Sequence, residues 1–209
     1  MSSKLKVQAK LKSKVDWLAV GLLRLGVSPN IVTAVGLILS FAAAYLYYIA
    51  TSTTIWAYYS GATLLSLSGL CDAVDGTMAR LSNRVTSFGS YLDSVLDRYS
   101  DSVVIMGITL GAAHVVILGV DVLVWGFLAL VGSLLVSYSR AKAESLGTKL
   151  EGVGIAERAE RVAIIIVTSV ILRPELGLFL IAIVANLTVI QRGIHTYRKL
   201  KAGVSKAER

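Results

Sequence analysis

Long uncharged stretches decide what this chain can become. Ile31 to Ala50, Thr54 to Leu70, Ser102 to Val120 and Val122 to Ser139 contain no Asp, Glu, Lys or Arg. The first holds 20 residues, and a helix of that length, rising about 1.5 Å per residue, crosses a hydrocarbon core of roughly 30 Å. Two shorter runs, Val162 to Leu172 and Leu176 to Ile190, flank Arg173, Pro174 and Glu175. A proline ends one helix and opens another, so this segment reads as a tight helical hairpin. With 55% hydrophobic residues and a mean hydropathy of +0.71, the chain carries more apolar surface than a soluble domain could cover. An all-α integral membrane protein with six transmembrane helices is expected, as one domain over residues 1–209.

Two of the six spans reach full length only by admitting charge. The third must extend back through Asp101, Asp97 and Asp93 to start near Ser87, and the fifth must begin near Arg158. Ionisable groups at membrane depth are costly and face a wet cavity or one another, so these segments point to a site.

The net charge is +8, a balance that elsewhere suggests nucleic acid. Here the charges sit at the ends of the apolar runs, which excludes that class of partner. All but Arg98 and Arg173 of the 21 lysines and arginines fall on one side of a six-span arrangement. The positive-inside rule then places both termini in the cytoplasm, in a multi-pass protein of the cell membrane whose site faces the cytoplasm. Val7, Leu11, Val15, Leu18, Leu22 and Leu25 form one helical stripe, so residues 2–26 are expected to lie on the membrane surface as a basic amphipathic helix. Gly26 ends it, and Ser28 with Pro29 begins the next helix. Residues 29–195 make the six-helix bundle and 196–209 a basic cytoplasmic tail. The lysine-rich opening lacks a short apolar core with a cleavage site, so no cleaved signal peptide is expected. Cys71, alone, forms no internal disulfide.

The segment from Asp72 to Asp97 carries the chemistry. Asp72 and Asp75 are three apart, Asp93 and Asp97 four apart, so each pair shares a helix face. A short turn near Leu81 to Thr86 brings the pairs to the same cytoplasmic end of adjacent helices. Carboxylates crowded in a low dielectric repel unless cations bridge them. Hard oxygen donors suit Mg2+ or Mn2+, with two ions holding a phosphoryl group between entering and leaving oxygens. Gly76 and Gly89 leave room for a nucleotide or a facing backbone, and Arg80 is placed to meet a phosphate or to close the site by an ion pair. Asp101 continues the row; a structural hydrogen bond or a pair with a basic group is expected there, ahead of a role as a fifth metal ligand. A divalent-cation transporter would need polar groups continuing to the far side, and the spans offer few.

These residues fill the pattern D-x2-D-G-x2-A-R-x8-G-x3-D-x3-D with Asp72, Asp75, Gly76, Ala79, Arg80, Gly89, Asp93 and Asp97. The chain thereby resembles the CDP-alcohol phosphotransferase family, and the segment Ser28 to Thr33 resembles that family's entry to its first span. The resemblance implies attack by an alcohol on the lipid-bearing phosphorus of a CDP-linked lipid, with CMP leaving. It implies that Asp72, Asp75, Asp93 and Asp97 hold metal, that Asp97 is the catalytic general base, and that Asn30, Thr33, Asp72, Gly76, Ala79, Arg80 and Gly89 bind the CDP-lipid. It also implies a homodimer surrounded by membrane lipids.

A second region narrows the acceptor. Ser137 to Gly147, Gly154 to Val162 and Gln191 to Lys199 resemble the branch of phosphatidylinositol-phosphate and archaetidylinositol-phosphate synthases, whose acceptor is inositol 1-phosphate. By that resemblance Arg140, Lys142, Arg161 and Arg192 grip the acceptor phosphate, while Glu157 and Glu160 pair with neighbouring arginines. The expected reaction moves a diradylglycerol-phosphate group from CDP-diacylglycerol or CDP-archaeol to inositol 1-phosphate. The same chemistry with glycerol 3-phosphate or serine is the alternative.

Overall fold

The computed structural model describes residues 15–50, 54–82, 86–150 and 152–207, with side chains up to 202. Seven helices account for almost all of it: α1 (15–24), α2 (Pro29–Ile49), α3 (Ile55–Leu81), α4 (Ser87–Gly111), α5 (Val122–Ser145), α6 (Arg158–Val170) and α7 (Pro174–Ala207). Three of them, α2, α5 and α7 to residue 202, are long and apolar enough to cross a membrane. The other two long helices, α3 and α4, carry the acidic residues within their length. With 13 residues, α6 covers only about 20 Å.

The bundle has an apolar core and also presents large apolar side chains on its outer surface. Many interior positions are small, with Ala43, Ala57, Ala129, Ala185, Ser40 and Ser169 fully buried beside larger core residues such as Tyr47, Ile108 and Leu178. Large apolar side chains face outward, among them Ile38 on α2, Phe127 on α5 and Ile190 on α7. Small residues let helix backbones approach closely where lipid, rather than water, surrounds the bundle. Gly107 shows how close. A Cβ there would lie 2.3 Å from the Ala44 carbonyl oxygen of α2, so α4 crosses α2 in backbone contact. Gly107→Ala forces the two helices apart, and overpacking of this kind costs about 1–3 kcal/mol or more. We expect a lower unfolding temperature in detergent, read by a thermal-shift assay.

Several expectations hold locally. Helix α1 ends at Gly26 (φ +76°), whose amide and that of Val27 bond to Leu23 and Leu22 carbonyls. Pro29 opens α2 behind Ser28, although the Ser28 side chain makes no cap hydrogen bond. The turn before Pro174 forms, with Leu172 at positive φ and an Arg173–Glu175 ion pair. Helices α4 and α6 begin at Ser87 and Arg158, where the spans were expected to start.

Others change. The uncharged run to Val120 is not one helix. Helix α4 stops at Gly111, and a two-stranded hairpin pairs β1 (Val116–Ile117) with β2 (Val120–Asp121). Leu118 and Gly119 both take positive φ, the twist a two-residue hairpin loop requires. Asp121 then caps α5 through the Leu123 amide. Of the amphipathic stripe, Val7 and Leu11 lie outside the described residues. Val15, Leu18 and Leu22 pack with Ala19 against Val32, Val74 and Met78, so α1 docks on the ends of α2 and α3, and Leu25 stays exposed. The basic segment from 196 continues α7 without a break to Ala207.

Helix α2 packs against both α3 and α4, which make at most marginal backbone contact with each other. The adjacency expected for the two acidic helices is therefore indirect. Helix α5 packs on α7 and α4, and α6 on α3 and α7. The ends of α3 and α5 and the starts of α2, α4 and α6 meet at the same end of the bundle.

Candidate active site

Asp72, Asp75 and Asp93 come together there, each offering an oxygen within 4.8 Å of the others. Asp75 is buried and accepts a 2.6 Å hydrogen bond from the Thr33 hydroxyl of α2. That bond fixes its rotamer from the helix wedged between α3 and α4. Asp93 Oδ1 is buried and has no hydrogen-bond partner among the described residues. An anionic oxygen orphaned in this way, beside two more carboxylates, fits a hard divalent cation.

Asp97 stands outside that trio. It pairs with Arg158 Nη1 at 2.8 Å and lies 3.8 Å from Arg98. The same Arg158 nitrogen is 2.8 Å from Asp72, so one guanidinium spans Asp72 of the trio and Asp97 beside it. Arg158 Nε also bonds Asp101 at 3.2 Å, which gives Asp101 the basic partner the sequence suggested.

Two cavities flank these carboxylates. One, about 660 Å³, is lined by Asn30 and Thr33 of α2, Asp75, Gly76, Ala79 and Arg80 of α3, and Thr86, Gly89 and Asp93 near the start of α4. It gathers every residue expected to meet the CDP-lipid except Asp72. A Cβ at Gly76 would meet only the Arg80 guanidinium, 3.6 Å away. Packing therefore does not require glycine at this position, and the space it leaves belongs to the cavity. Arg80 makes no ion pair among the described residues and is steadied by the Thr77 hydroxyl at 2.9 Å. Thr86 caps α4 by accepting from the Gly89 amide.

The other cavity, about 540 Å³, lies on the α5–α6–α7 side and is lined by Asp72, Asp97, Asp101, Arg140, Arg158, Arg161 and Arg192, among others. Three of the four expected acceptor ligands reach it. Lys142 does not line it and is exposed. Two residues on from Arg140, it turns about 200° around the helix axis and leaves that face. The cavity's arginines are held by acids and carbonyls. Arg140 bonds Glu144 at 3.0 Å. Arg161, 4% exposed, donates to Asp101 at 2.6 Å and to the Ala156 carbonyl. Arg192, 2% exposed, straps α7 to the Val136 and Val153 carbonyls and lies 3.7 Å from Glu157. Glu160 makes no ion pair among the described residues.

The loop that delivers Glu157, Arg158 and Arg161 is anchored by a residue the sequence did not flag. Thr188 accepts from the amides of Ile155 and Ala156, and its methyl fills the space over Gly154, at φ +110°. A lone threonine on an apolar helix gives no signal of such a role.

The arrangement has known counterparts. Residues 26–191 match the CDP-alcohol phosphatidyltransferase family. The chain belongs to that family. The archaetidylinositol phosphate synthase of Pyrococcus horikoshii is 35% identical over 95% of this chain and 98% of its own. That of Methanothermobacter thermautotrophicus is 45% identical over 68% of this chain and 72% of its own. The crystal structure of Mycobacterium tuberculosis phosphatidylinositol phosphate synthase with CDP-DAG bound is 29% identical and superposes with a TM-score of 0.72 over 88% of this chain and 93% of that one. The same enzyme with manganese and citrate gives 0.74 at 29% identity, over 88% of each chain. As a family member, this chain is a phospholipid-synthesising transferase that uses a CDP-linked donor.

Proposed function

We propose that this enzyme transfers a diradylglycerol-phosphate group from a CDP-diradylglycerol to inositol 1-phosphate and releases CMP. The observation that carries the reading is the pair of cavities on opposite sides of one carboxylate cluster. One cavity carries Arg80, Gly76 and Gly89, as a nucleotide diphosphate requires. The other carries three arginines, as a dianionic alcohol phosphate requires. The names of the relatives support the same donor and acceptor.

Asp72, Asp75 and Asp93 would hold Mg2+ or Mn2+, with Asp97 completing the set and two ions bound. Bound cations neutralise charge on the reacting phosphate and on the CMP leaving group. The chain's own residues do the rest. Thr33 keeps Asp75 facing the cluster. Arg80 binds the donor's phosphate. Arg140, Arg161 and Arg192 seat the acceptor phosphate, so that its hydroxyl lies toward Asp97. Asp97 takes the hydroxyl proton as the oxygen attacks the lipid-bearing phosphorus, and CMP departs on the other side. Six membrane passes, both termini in the cytoplasm, a cytoplasm-facing site in the cell membrane and a homodimer complete the reading. The one-sided distribution of Lys and Arg and the family likeness support them.

The deciding experiment supplies the CDP-lipid, Mg2+ or Mn2+ and one acceptor at a time, and measures CMP. Inositol 1-phosphate should outpace glycerol 3-phosphate and serine, and equal or faster release with either of those would overturn the assignment. Gly76→Val tests the donor cavity separately. Its isopropyl group enters space that only Arg80 borders. We expect the KM for the CDP-lipid to rise about tenfold or more, since a clash of about 1.4 kcal/mol suffices for that factor, with the unfolding temperature unchanged.

A further inference from the structure

Asp101 lies one helical turn beyond Asp97 and on the same face of α4. It belongs neither to the carboxylate trio nor to the arginines assigned to the acceptor. Yet its two oxygens serve different partners. Oδ1 accepts from Arg158 Nε at 3.2 Å, and Oδ2 accepts from Arg161 Nη2 at 2.6 Å. The side chain is only 12% exposed. Arg158 reaches past it to Asp72 and Asp97, 2.8 Å from each. Arg161 reaches the other way, with Nη1 on the Ala156 carbonyl and a buried Nε that has no partner among the described residues. One carboxylate thus holds the arginine that neutralises the metal-facing aspartates and the arginine on the wall of the second cavity.

We propose that Asp101 is a positioning residue that links cation binding at the aspartates to acceptor binding at Arg161, by dividing its two oxygens between Arg158 and Arg161. The proposal rests on the metal and acceptor assignments above. A guanidinium keeps its charge under all conditions of interest, so Arg158 competes with any cation for Asp72 and Asp97. Asp101 draws off part of that charge. When Asp101 is neutral, Arg158 has only Asp72 and Asp97 as counter-ions and holds them harder, and cations bind less well. Arg161 at the same time loses the one side-chain anchor it has among the described residues, and its guanidinium is no longer fixed on the cavity wall.

Asp101→Asn tests this with little change in shape, because the amide oxygen can serve one arginine while the amide N–H faces the donors of the other. The full-length enzyme in detergent is titrated with Mn2+ in the absence of both substrates, with free Mn2+ read by electron paramagnetic resonance. The KM for each substrate is measured separately. Mn2+ affinity should fall about fivefold or more, the lower range of site-to-site coupling. The KM for inositol 1-phosphate should rise about tenfold or more, as for other losses around a buried charge pair, and that for the CDP-lipid should stay within about twofold on the same scale.

Arg158→Gln removes the competing charge and should raise Mn2+ affinity by a similar factor. On that background Asp101→Asn should no longer affect Mn2+, because its effect runs through Arg158, while the acceptor KM should still rise through Arg161. A merely structural prop would weaken both substrates and Mn2+ on either background. Unchanged Mn2+ affinity and acceptor KM in Asp101→Asn would overturn the proposal, and so would an Mn2+ effect that persists without Arg158. If Asp101→Asn does not accumulate folded, Arg158→Gln decides alone, and unchanged or weaker Mn2+ binding overturns the idea. Should the acceptor panel reject inositol 1-phosphate, the acceptor reading fails, while the Mn2+ titrations still report on the Asp101–Arg158 link.

Discussion

Asp93→Asn is expected to stop turnover and, in chelator, to stabilise the protein. Three carboxylates offer oxygens within 4.8 Å of one another, and Arg158 reaches only Asp72 among them. Asp93 keeps a buried oxygen with no hydrogen-bond partner among the described residues. Neutralising it removes like-charge repulsion and a buried unpaired charge, both of which oppose folding when no cation is present. The same change removes a negative ligand from the place where a cation must sit. CMP release should fall on the order of 10³-fold, the scale on which a missing electrostatic contact to the developing charge is felt. The unfolding temperature in EDTA should rise, and the stabilisation that Mn2+ gives the parent protein should shrink. A variant that loses activity and stability together would mean that Asp93 is a structural residue, and the metal assignment would fail.

Arg161→Gln should act on the acceptor and spare the donor. Its guanidinium is almost fully buried, is fixed from two sides by Asp101 and the Ala156 carbonyl, and belongs to a residue that lines the second cavity. Removing one member of a buried charge pair costs about 2–5 kcal/mol. We expect the KM for inositol 1-phosphate to rise by a factor of roughly 30 or more, given tenfold per 1.4 kcal/mol, with the KM for the CDP-lipid little changed. Arg161→Lys should not restore it. An ammonium is a single point of donation and cannot span Asp101, a backbone carbonyl and a phosphate as a planar fork does. Steady-state kinetics with each substrate varied in turn would check both variants, and an unchanged acceptor KM would move the phosphate elsewhere in the cavity.

Much of this site was legible before any coordinates. The spacing of Asp72, Asp75, Asp93 and Asp97 fixes helix faces, and charges placed where spans need apolar residues mark a cavity. The starts of α4 and α6 followed from the same length argument. What escaped was set by contacts distant in sequence. Nothing in the chain order says that α2 stands between α3 and α4, or that Thr33 turns Asp75 toward the cluster. The segment from Ala112 to Val120 is uncharged and so reads as part of a span. Two positive-φ residues and a cap at Asp121 make it a hairpin instead. Arg192 looked like a phosphate ligand by its place in the motif. Its guanidinium also bonds two backbone carbonyls on different elements, and local sequence cannot encode that. Lys142 shared a motif with Arg140 but not a helix face.

The gap between α3 and α4 shapes how this end of the molecule is held. Neighbouring helices usually run in close backbone contact, and here that contact is at most marginal where the acids face each other. Bound ions would then work as rivets across a seam that α2 braces from one side and Arg158 of α6 bridges from another. Stripping them would free the first turns of α4 to swing, so the mouth of the donor cavity should exchange amide hydrogens faster in chelator than the buried middle of the bundle does.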